Sequence, residues 1–309
     1  RRSSDLVSGR VTISDLDAGE SRFAANGSII GAFGHVSVDT AGAWTYTRDA
    51  NMDSLAAGAV AVDTVSVLAA DGTSQAITVS IVGANDVPTL GVPASIGHLD
   101  TSVHDSFPVI SGTLSGADAD STAVLTYGIS SGGNVVDDGG DTVSLTLAYG
   151  VLLVNKNSGA YTFTPNEAAV NALAQGRVIN LTNINVSVTD GNSNVVSSQL
   201  PIKIVGANDT PVINNSPVTI AVTDTSSLDT FAASSGTILG SDVDSDASLS
   251  YSIAGGASAG ATVTKSGTYG SLALNTLTGA YVFTPSNSVI NALGDTVTTE
   301  TFNVNVKDS

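Results

Sequence analysis

The chain repeats itself, and this repetition constrains its fold more than any other feature. Residues 82–88 (VGANDVP) return as residues 205–211 (VGANDTP). Short motifs that recur in a fixed order are typical of tandem domains that each form one structural unit. We therefore expect three small hydrophobic cores in this chain of 309 residues. A second sign of repetition is a pair of aspartates separated by one residue, which occurs at Asp15 and Asp17, at Asp118 and Asp120, and at Asp242 and Asp244.

Each copy also contains a predicted β-hairpin. Alternating apolar residues run into a polar turn with a glycine, and an aromatic residue follows in the second strand. The glycine permits the positive φ that such turns often need. The hairpins span residues 34–46, 150–163 and 270–283, and their aromatic residues, which we expect at equivalent and largely buried positions, are Trp44, Tyr161 and Tyr281.

Later in each copy a strand of period two ends in an aspartate, and helix is expected only as one or two turns, for example at residues 166–173. Short alternating strands separated by turn signals predict antiparallel β-sandwiches. The Asn-Asp-X-Pro linkers mark the boundaries, because proline cannot continue a β-ladder. The predicted domains are residues 1–86, 87–209 and 210–309, and the third is expected to lack its last strand.

Composition narrows the function classes. The formal charge is -18, from 28 acidic against 10 basic residues, and only Glu20, Glu167 and Glu300 are glutamates. Nucleic acid and anionic membranes would repel such a surface, whereas divalent cations suit it. The absence of cysteine excludes disulfides, thiolate metal sites and thiol nucleophiles. No apolar run is long enough to span a membrane, so we expect no membrane insertion by this segment.

These motifs resemble two families of bacterial repeats. Residues 9–88 resemble the VCBS repeat of large bacterial surface proteins, and the second and third copies resemble bacterial cadherin-like repeats. The first resemblance rests on residues 9–20, 43–47 (AWTYT), 71–72 (DG) and 85–88 (NDVP). The second rests on residues 117–120 (ADAD), 125–127 (LTY) and 188–191 (VTDG).

Members of these families are commonly stalk or extender modules of giant secreted adhesins, including those of the RTX type. The resemblance implies an all-β fold of three tandem Ig-like or cadherin-like antiparallel β-sandwiches arranged as an extended rod. It implies calcium ions at the domain junctions, one or two at each. It also implies an extracellular location at the bacterial cell surface, a role in adhesion or biofilm formation, and neighbouring repeats of the same polypeptide as partners.

The aspartates and linker residues supply candidate calcium ligands. Calcium binds about six to eight hard oxygen atoms without strict geometry, and residues i and i+2 of an extended chain share a face. The first junction set is Asn85, Asp86, Asp118, Asp120 and Asp190. The second junction set is Asn208, Asp209, Asp242, Asp244 and Asp308. A matching set in the first copy, expected to be weak because its upstream linker is absent or reduced to the region of Asp5, is Asp15, Asp17 and Asp71.

Other interpretations of the same residues remain open. Each aspartate could simply cap a turn, which is the commonest role of a loop aspartate. The chain could be a carbohydrate- or ligand-binding module that uses the glycine-rich loop expected at residues 130–141, or the hairpin aromatics, to bind surface glycans. It could also be a fibre subunit that joins other copies of itself by strand addition.

An enzyme is not expected. The number of acidic residues alone does not exclude a hydrolase with a pair of catalytic carboxylates. The acids that recur, however, lie beside linkers rather than in a cleft. His35, His98 and His104 do not recur between copies and form no metal-binding spacing, so we expect them to be surface residues. No nucleophile elbow, P-loop or dinucleotide motif is present in its required context.

Overall fold

The computed structural model describes residues 6–16, 20–24, 26–131, 134–192 and 194–308. Over these residues the secondary structure is nearly all β, and most strands pair antiparallel. The buried hydrophobic residues form three separate clusters, one in each copy of the repeat. The prediction of an all-β chain with tandem cores is confirmed. In the part of the chain that is described, no helix has the length and apolar character needed to cross a membrane.

The first copy packs a four-stranded sheet against a two-stranded hairpin. Its strands are β1 (Leu6–Arg10), β2 (Asn26–Ile30), β3 (Gly34–Val38), β4 (Ala43–Arg48), β5 (Val60–Leu68) and β6 (Ser74–Val82). The sheet order is β1-β4-β3-β2, and β5 pairs with β6. Along β3 and β5 every second side chain is buried, because successive residues of a strand point to opposite faces. Val36, Tyr46, Val65 and Val67 therefore meet in one core.

The second copy is the most complete sandwich. Its elements are β7 (Thr89–Leu90), β8 (Ile96–Leu99), β9 (Ile110–Thr113), β10 (Gly116–Ala117), β11 (Thr126–Ile129), β12 (Val135–Asp137), β13 (Thr142–Leu147), β14 (Gly150–Asn155), β15 (Ala160–Pro165), α1 (Glu167–Asn171), β16 (Val178–Leu181), β17 (Asn185–Thr189), β18 (Val195–Gln199) and β19 (Ile202–Val205). A sheet of order β12-β13-β14-β15-β9 faces the sheets β11-β17-β18 and β16-β19-β8. Leu152 and Phe163 from one side pack with Val186 and Ile202 from the other. Strand β8 runs parallel to β19, so its end lies beside the linker that leaves this copy.

The third copy repeats the five-stranded sheet of the second. Its elements are β20 (Val212–Ile213), β21 (Ser234–Thr237), β22 (Gly240–Ser241), β23 (Ser250–Ile253), β24 (Ala257–Ala259), β25 (Thr262–Ser266), β26 (Gly270–Asn275), β27 (Ala280–Pro285), α2 (Asn287–Ile290) and β28 (Val304–Lys307). Within the described residues β28 pairs with β23 alone, whereas its counterpart β17 lies between β11 and β18. The lack of a last strand and the two domain boundaries stay predictions, although no strand crosses residues 83–88 or 206–211.

The hairpin aromatics occupy equivalent places, as predicted. Each lies opposite a glycine of the neighbouring strand, and a Cβ atom on that glycine would come within 2.4–2.6 Å of the ring. The pairs are Trp44 with Gly9, Tyr161 with Gly112, and Tyr281 with Gly236. Tyr161 is buried, whereas Trp44 and Tyr281 are partly buried, which agrees with the prediction of largely buried positions.

Local structure departs from the sequence-based expectation in one segment. Residues 130–141 were expected to form a glycine-rich loop, but β12 lies within them and pairs with β13. Gly132 and Gly133 lie outside the described residues. Short helices were expected and found: Asn166 caps α1 by accepting a hydrogen bond from the main-chain N of Ala169, at 3.3 Å.

Candidate metal sites at the domain junctions

The first junction set gathers around the linker at residues 83–88. The side-chain amide of Asn85 donates to Asp190 Oδ2 at 2.6 Å, and the main-chain N of Asp86 donates to Asp120 Oδ2 at 2.9 Å. These two hydrogen bonds bring together the linker, the end of β17 and the loop that contains Asp120. A direct contact also joins the first and second copies, because Ser121 N donates to Ser54 O at 3.1 Å.

The second junction set has the same arrangement. Asn208 donates to Asp308 Oδ2 at 2.7 Å, and the main-chain N of Asp209 donates to Asp244 Oδ2 at 2.7 Å. Ser245 N donates to Ala172 O at 3.2 Å and so joins the second and third copies, just as the bond from Ser121 N to Ser54 O joins the first and second. The structure thus brings all five members of each predicted set to one place.

The paired aspartates adopt a turn in which one carboxylate oxygen of the first aspartate accepts no hydrogen bond. Oδ1 of Asp118 accepts from the main-chain N of Asp120 at 2.8 Å, and Oδ1 of Asp242 accepts from that of Asp244 at 2.9 Å. This is the turn-capping role of the alternative interpretation, but it uses only one oxygen of each first aspartate. The second oxygen is free for another ligand.

Several of these oxygens are buried and have no hydrogen-bond partner. In the described part of the chain they are Asp118 Oδ2 and Asp120 Oδ1 at the first junction, and Asp209 Oδ1 and Oδ2, Asp242 Oδ2 and Asp244 Oδ1 at the second. A buried carboxylate oxygen without a donor loses its hydration without compensation. Cations that prefer oxygen ligands supply the missing partner, so the donor set fits calcium.

One group in the second junction set already has the spacing of a metal site. Single carboxylate oxygens of Asp242, Asp244 and Asp308 lie within 4.8 Å of one another. These three residues could hold an ion, and Asp308 brings the ligand from the end of β28.

Proton affinities reflect the crowding of negative charge. Burial, followed by the charges of Asp100, Asp244 and Asp242, raises the pKa of Asp209 to about 6. Burial and the charge of Asp120 also raise the pKa of Asp86. Repulsion of this kind destabilises the ionised junction until a cation compensates it.

The linker asparagines contact aspartates through their NH2 groups. Asn85 donates to Asp190, whose other oxygen accepts from Asn192 N at 2.7 Å, and these bonds hold the pKa of Asp190 below its usual range. An NH2 group cannot bind a cation, whereas the amide oxygen can. The predicted ligand role of Asn85 and Asn208 stays a prediction. In the structure these two amides orient Asp190 and Asp308 instead.

The matching set in the first copy is not assembled in the same way. Asp71 is exposed, and its two oxygens accept from Thr73 N and Thr73 Oγ1, both at 2.8 Å. Asp15 N donates to Ser21 Oγ. Asp17 lies outside the described residues. The turn-capping interpretation therefore accounts for Asp71.

Two further acids lie at the second junction and do not belong to the predicted set. Asp100 is 3% exposed and follows β8, while Asp105 accepts from Thr101 N at 2.8 Å. A sequence signal was available, because residues 100–105 (DTSVHD) return as residues 224–229 (DTSSLD). The same bond recurs there, from Thr225 N to Asp229.

The histidines lie apart and do not form a common site. His35 Nδ1 contacts Asp49 Oδ2 at 2.6 Å at the surface. His98 is buried, with its ring centroid 5.8 Å from that of Phe107 and 5.9 Å from that of Phe163. The expectation of a surface position is therefore wrong for His98, because alternation along β8 turns it inwards.

No protein-family model matches the chain, and no curated protein matches it. Solved structures that are similar include protocadherin gamma B2 extracellular cadherin domains 3-6, at 15% identity and a TM-score of 0.33, with 94% of this chain and 69% of that chain covered. Human CDH23 EC21-23 matches at 14% identity and a TM-score of 0.36, with 92% and 80% covered. Mouse Cadherin-23 EC22-24 matches at 16% identity and a TM-score of 0.37, with 89% and 80% covered. TM-scores this low do not establish a shared fold, so the fold class rests on the strand pairing described above.

Proposed function

We propose that this chain is a non-enzymatic spacer whose domain junctions are stiffened by calcium. The observation that carries the proposal is the pair of matched junctions, in which unpartnered, buried aspartate oxygens lie beside a linker. The linker and the following copy contribute together to each site, since Asp86 and Asp209 contact Asp120 and Asp244. A ligand that binds there restrains the linker and the copy at once.

The stiffening has an electrostatic and an entropic part. Without a cation, Asp86, Asp118 and Asp120 repel one another, and two unit charges at about 4 Å interact by roughly 4 kcal/mol at an effective dielectric constant near 20. The linker residues between the copies keep their conformational freedom, at about 1–2 kcal/mol of entropy per residue. Binding of calcium by these carboxylates opposes both effects, so the junction changes from a loose hinge to a fixed angle.

The setting proposed for this spacer is the extender region of a large secreted bacterial adhesin. The resemblance of residues 9–88 to VCBS repeats supports this setting, as does the acidic composition. Extracellular calcium modules bind at about 0.1–1 mM, which matches calcium outside cells. The junctions would be loose in a calcium-poor compartment and stiff after secretion.

Small-angle scattering of the whole chain tests the proposal. We expect the maximum dimension and the flexibility of the wild-type chain to change between excess calcium and chelator. The double variant Asp118→Ala plus Asp120→Ala should remain flexible at the first junction in calcium. Asp137→Ala plus Asp138→Ala is the matched control, because both residues are exposed and lie away from the junctions. Identical wild-type curves in the two solutions, or a double variant that stiffens as the wild type does, would refute the spacer mechanism.

A further inference from the structure

The second copy contributes a buried carboxylate to the linker that leaves it. Asp100 N donates to Val205 O at 2.9 Å, and Asp100 Oδ2 accepts from Ala207 N at 3.3 Å. Asp100 Oδ1 has no hydrogen-bond partner among the described residues, and the side chain is only 3% exposed. An ionised oxygen in this position needs a positively charged neighbour.

Asp209 lies between Asp100 and the third copy. Its main-chain N is bonded to Asp244, while both of its carboxylate oxygens lack a partner in the described part of the chain. The side chain is 2% exposed. Two free oxygens allow one carboxylate to serve two neighbouring ligand positions, one on each side.

The two junctions differ in how many oxygens they leave without a partner. Five buried carboxylate oxygens from the described residues are unpartnered at the second junction when Asp100 is included, against two at the first. At the first junction the preceding copy offers Asp53, which is exposed rather than buried. Of the three additional oxygens at the second junction, one comes from Asp100 in the preceding domain and two come from Asp209 in the linker.

Charge balance leads to the same difference. Asp100, Asp209, Asp242, Asp244 and Asp308 place five carboxylates at the second junction. One divalent cation would neutralise two of these negative charges, and two cations would neutralise four. With Asp53 from the preceding copy the first junction also has five carboxylates, but Asp53 is exposed and Asp190 already uses both oxygens in hydrogen bonds to Asn85 and Asn192, which leaves three.

We propose that the second junction binds two calcium ions and the first junction one, because Asp100 and Asp209 form an additional cation position. This inference rests on the proposed calcium function and specifies its stoichiometry. One ion lies among Asp242, Asp244 and Asp308, and the additional ion lies on the side of the second copy. A junction with ligands from the preceding domain, the linker and the following domain is more tightly restrained than one with ligands from the last two alone.

The segment that carries Asp100 is fixed to its own domain. Asp105 accepts from Thr101 N, and Asp105 N donates to Asn171 Oδ1 at 2.6 Å. Asn171 is buried at the end of α1. Asp105 and Asn171 are therefore positioning residues that hold Asp100 beside the linker before any ion binds.

Crystallography of the wild-type chain tests the inference directly. Crystals grown with calcium and measured with anomalous scattering should show two calcium peaks at the second junction and one at the first. Equal numbers of peaks at the two junctions would overturn the inference. This measurement needs no variant, so it decides the question even if a substitution prevents folding.

Native mass spectrometry of a variant provides a second test. Asp100→Asn keeps the size of the side chain and removes its charge, and we expect it to bind one calcium ion fewer than the wild type. Asp138→Asn is the matched control, because Asp138 is exposed in the same copy and belongs to neither junction set, and it should bind the wild-type number. The same number in Asp100→Asn as in the wild type would also overturn the inference.

The outcomes separate this inference from the proposed function. If the wild-type chain binds no calcium at either junction, the proposed function fails and the inference fails with it. If calcium binds at both junctions in equal number and Asp100→Asn changes nothing, only the inference fails. A melting curve in chelator adds a readout, because Asp100→Asn should melt higher than the wild type when repulsion is relieved, whereas a merely structural role predicts a lower melting temperature.

Discussion

Tyr161 lies across Gly112 of the neighbouring strand, so closely that a Cβ atom on the glycine would come within 2.4 Å of the ring. The same relationship joins Trp44 to Gly9 and Tyr281 to Gly236. An aromatic ring laid over a strand glycine fills the space that a side chain would take and fixes the register of the two strands. The repeat therefore conserves a pair of residues, not an aromatic position alone.

Substitution of Gly112 by alanine tests this relationship. The added methyl group would collide with Tyr161, which is buried and cannot move away, so we expect a loss of about 1–3 kcal/mol in the free energy of unfolding. Gly97→Ala is the matched control, since nothing lies within 4 Å of the Cβ position in that exposed strand residue. Urea unfolding curves of the two variants give the comparison. Equal losses would show that the ring does not exclude a side chain.

Removal of the ring should have unequal effects in the three copies. Tyr161 is 4% exposed, so Tyr161→Ala should cost about 3–5 kcal/mol. Tyr281 is half-buried, and Tyr281→Ala should cost clearly less. Calorimetric melting of both variants checks the order. A change within about 0.5 kcal/mol for Tyr161→Ala would contradict its role in the core and favour a glycan platform instead.

In the first copy, one buried carboxylate accepts hydrogen bonds from two main-chain N–H groups and a tyrosine hydroxyl. Asp63 is 1% exposed and accepts from Ala32 N, Phe33 N and Tyr46 Oη, each at 2.9 Å. Burial alone would raise the pKa of Asp63, but these hydrogen bonds outweigh burial and hold the pKa below its usual range. Burial and Asp63 also raise the pKa of Tyr46 to about 12.

Because the pKa of Asp63 is lowered in the folded state, its contribution to stability is present above the unfolded pKa of about 4 and is lost as the pH falls through the folded value. Fluorescence of Trp44, the one tryptophan of the chain, reports this loss during acid titration. Asp63→Asn should cost about 1.5–3 kcal/mol at neutral pH and flatten the acid transition of the first copy. Asp39→Asn, in an exposed turn, is the control. An unchanged acid transition in Asp63→Asn would contradict this assignment.

The sequence predicted what depends on local pattern. Alternation placed β3, β14 and β26, and glycine with positive φ marked the hairpin turns, because these features follow from neighbouring residues. The junction sets were predicted because their aspartates recur. Asp100 was missed although residues 100–105 recur as residues 224–229, because the recurrence does not show that the parallel pairing of β8 with β19 places Asp100 beside the linker. The inward position of His98 follows from alternation along β8, a strand of four residues that the sequence analysis did not identify.

The stabilisation of the second junction by calcium should depend on Asp242 and much less on Asp246 in the same loop. Asp242 has one oxygen in the turn and one without a partner in the described part of the chain, and it lies in the three-aspartate group with Asp244 and Asp308. A ligand that binds only the folded state stabilises it by about 2.7 kcal/mol at a concentration of 100 times its Kd. Calcium should therefore raise the melting temperature of the wild-type chain. Asp242→Asn should abolish most of the calcium-dependent rise in the melting temperature of the third copy.

Asp246→Asn is the matched control, because Asp246 is exposed in the same loop and lies outside that group. Calorimetric scans in calcium and in chelator measure the difference for each chain. If Asp242→Asn and Asp246→Asn respond to calcium equally, the three-aspartate group is not the binding site.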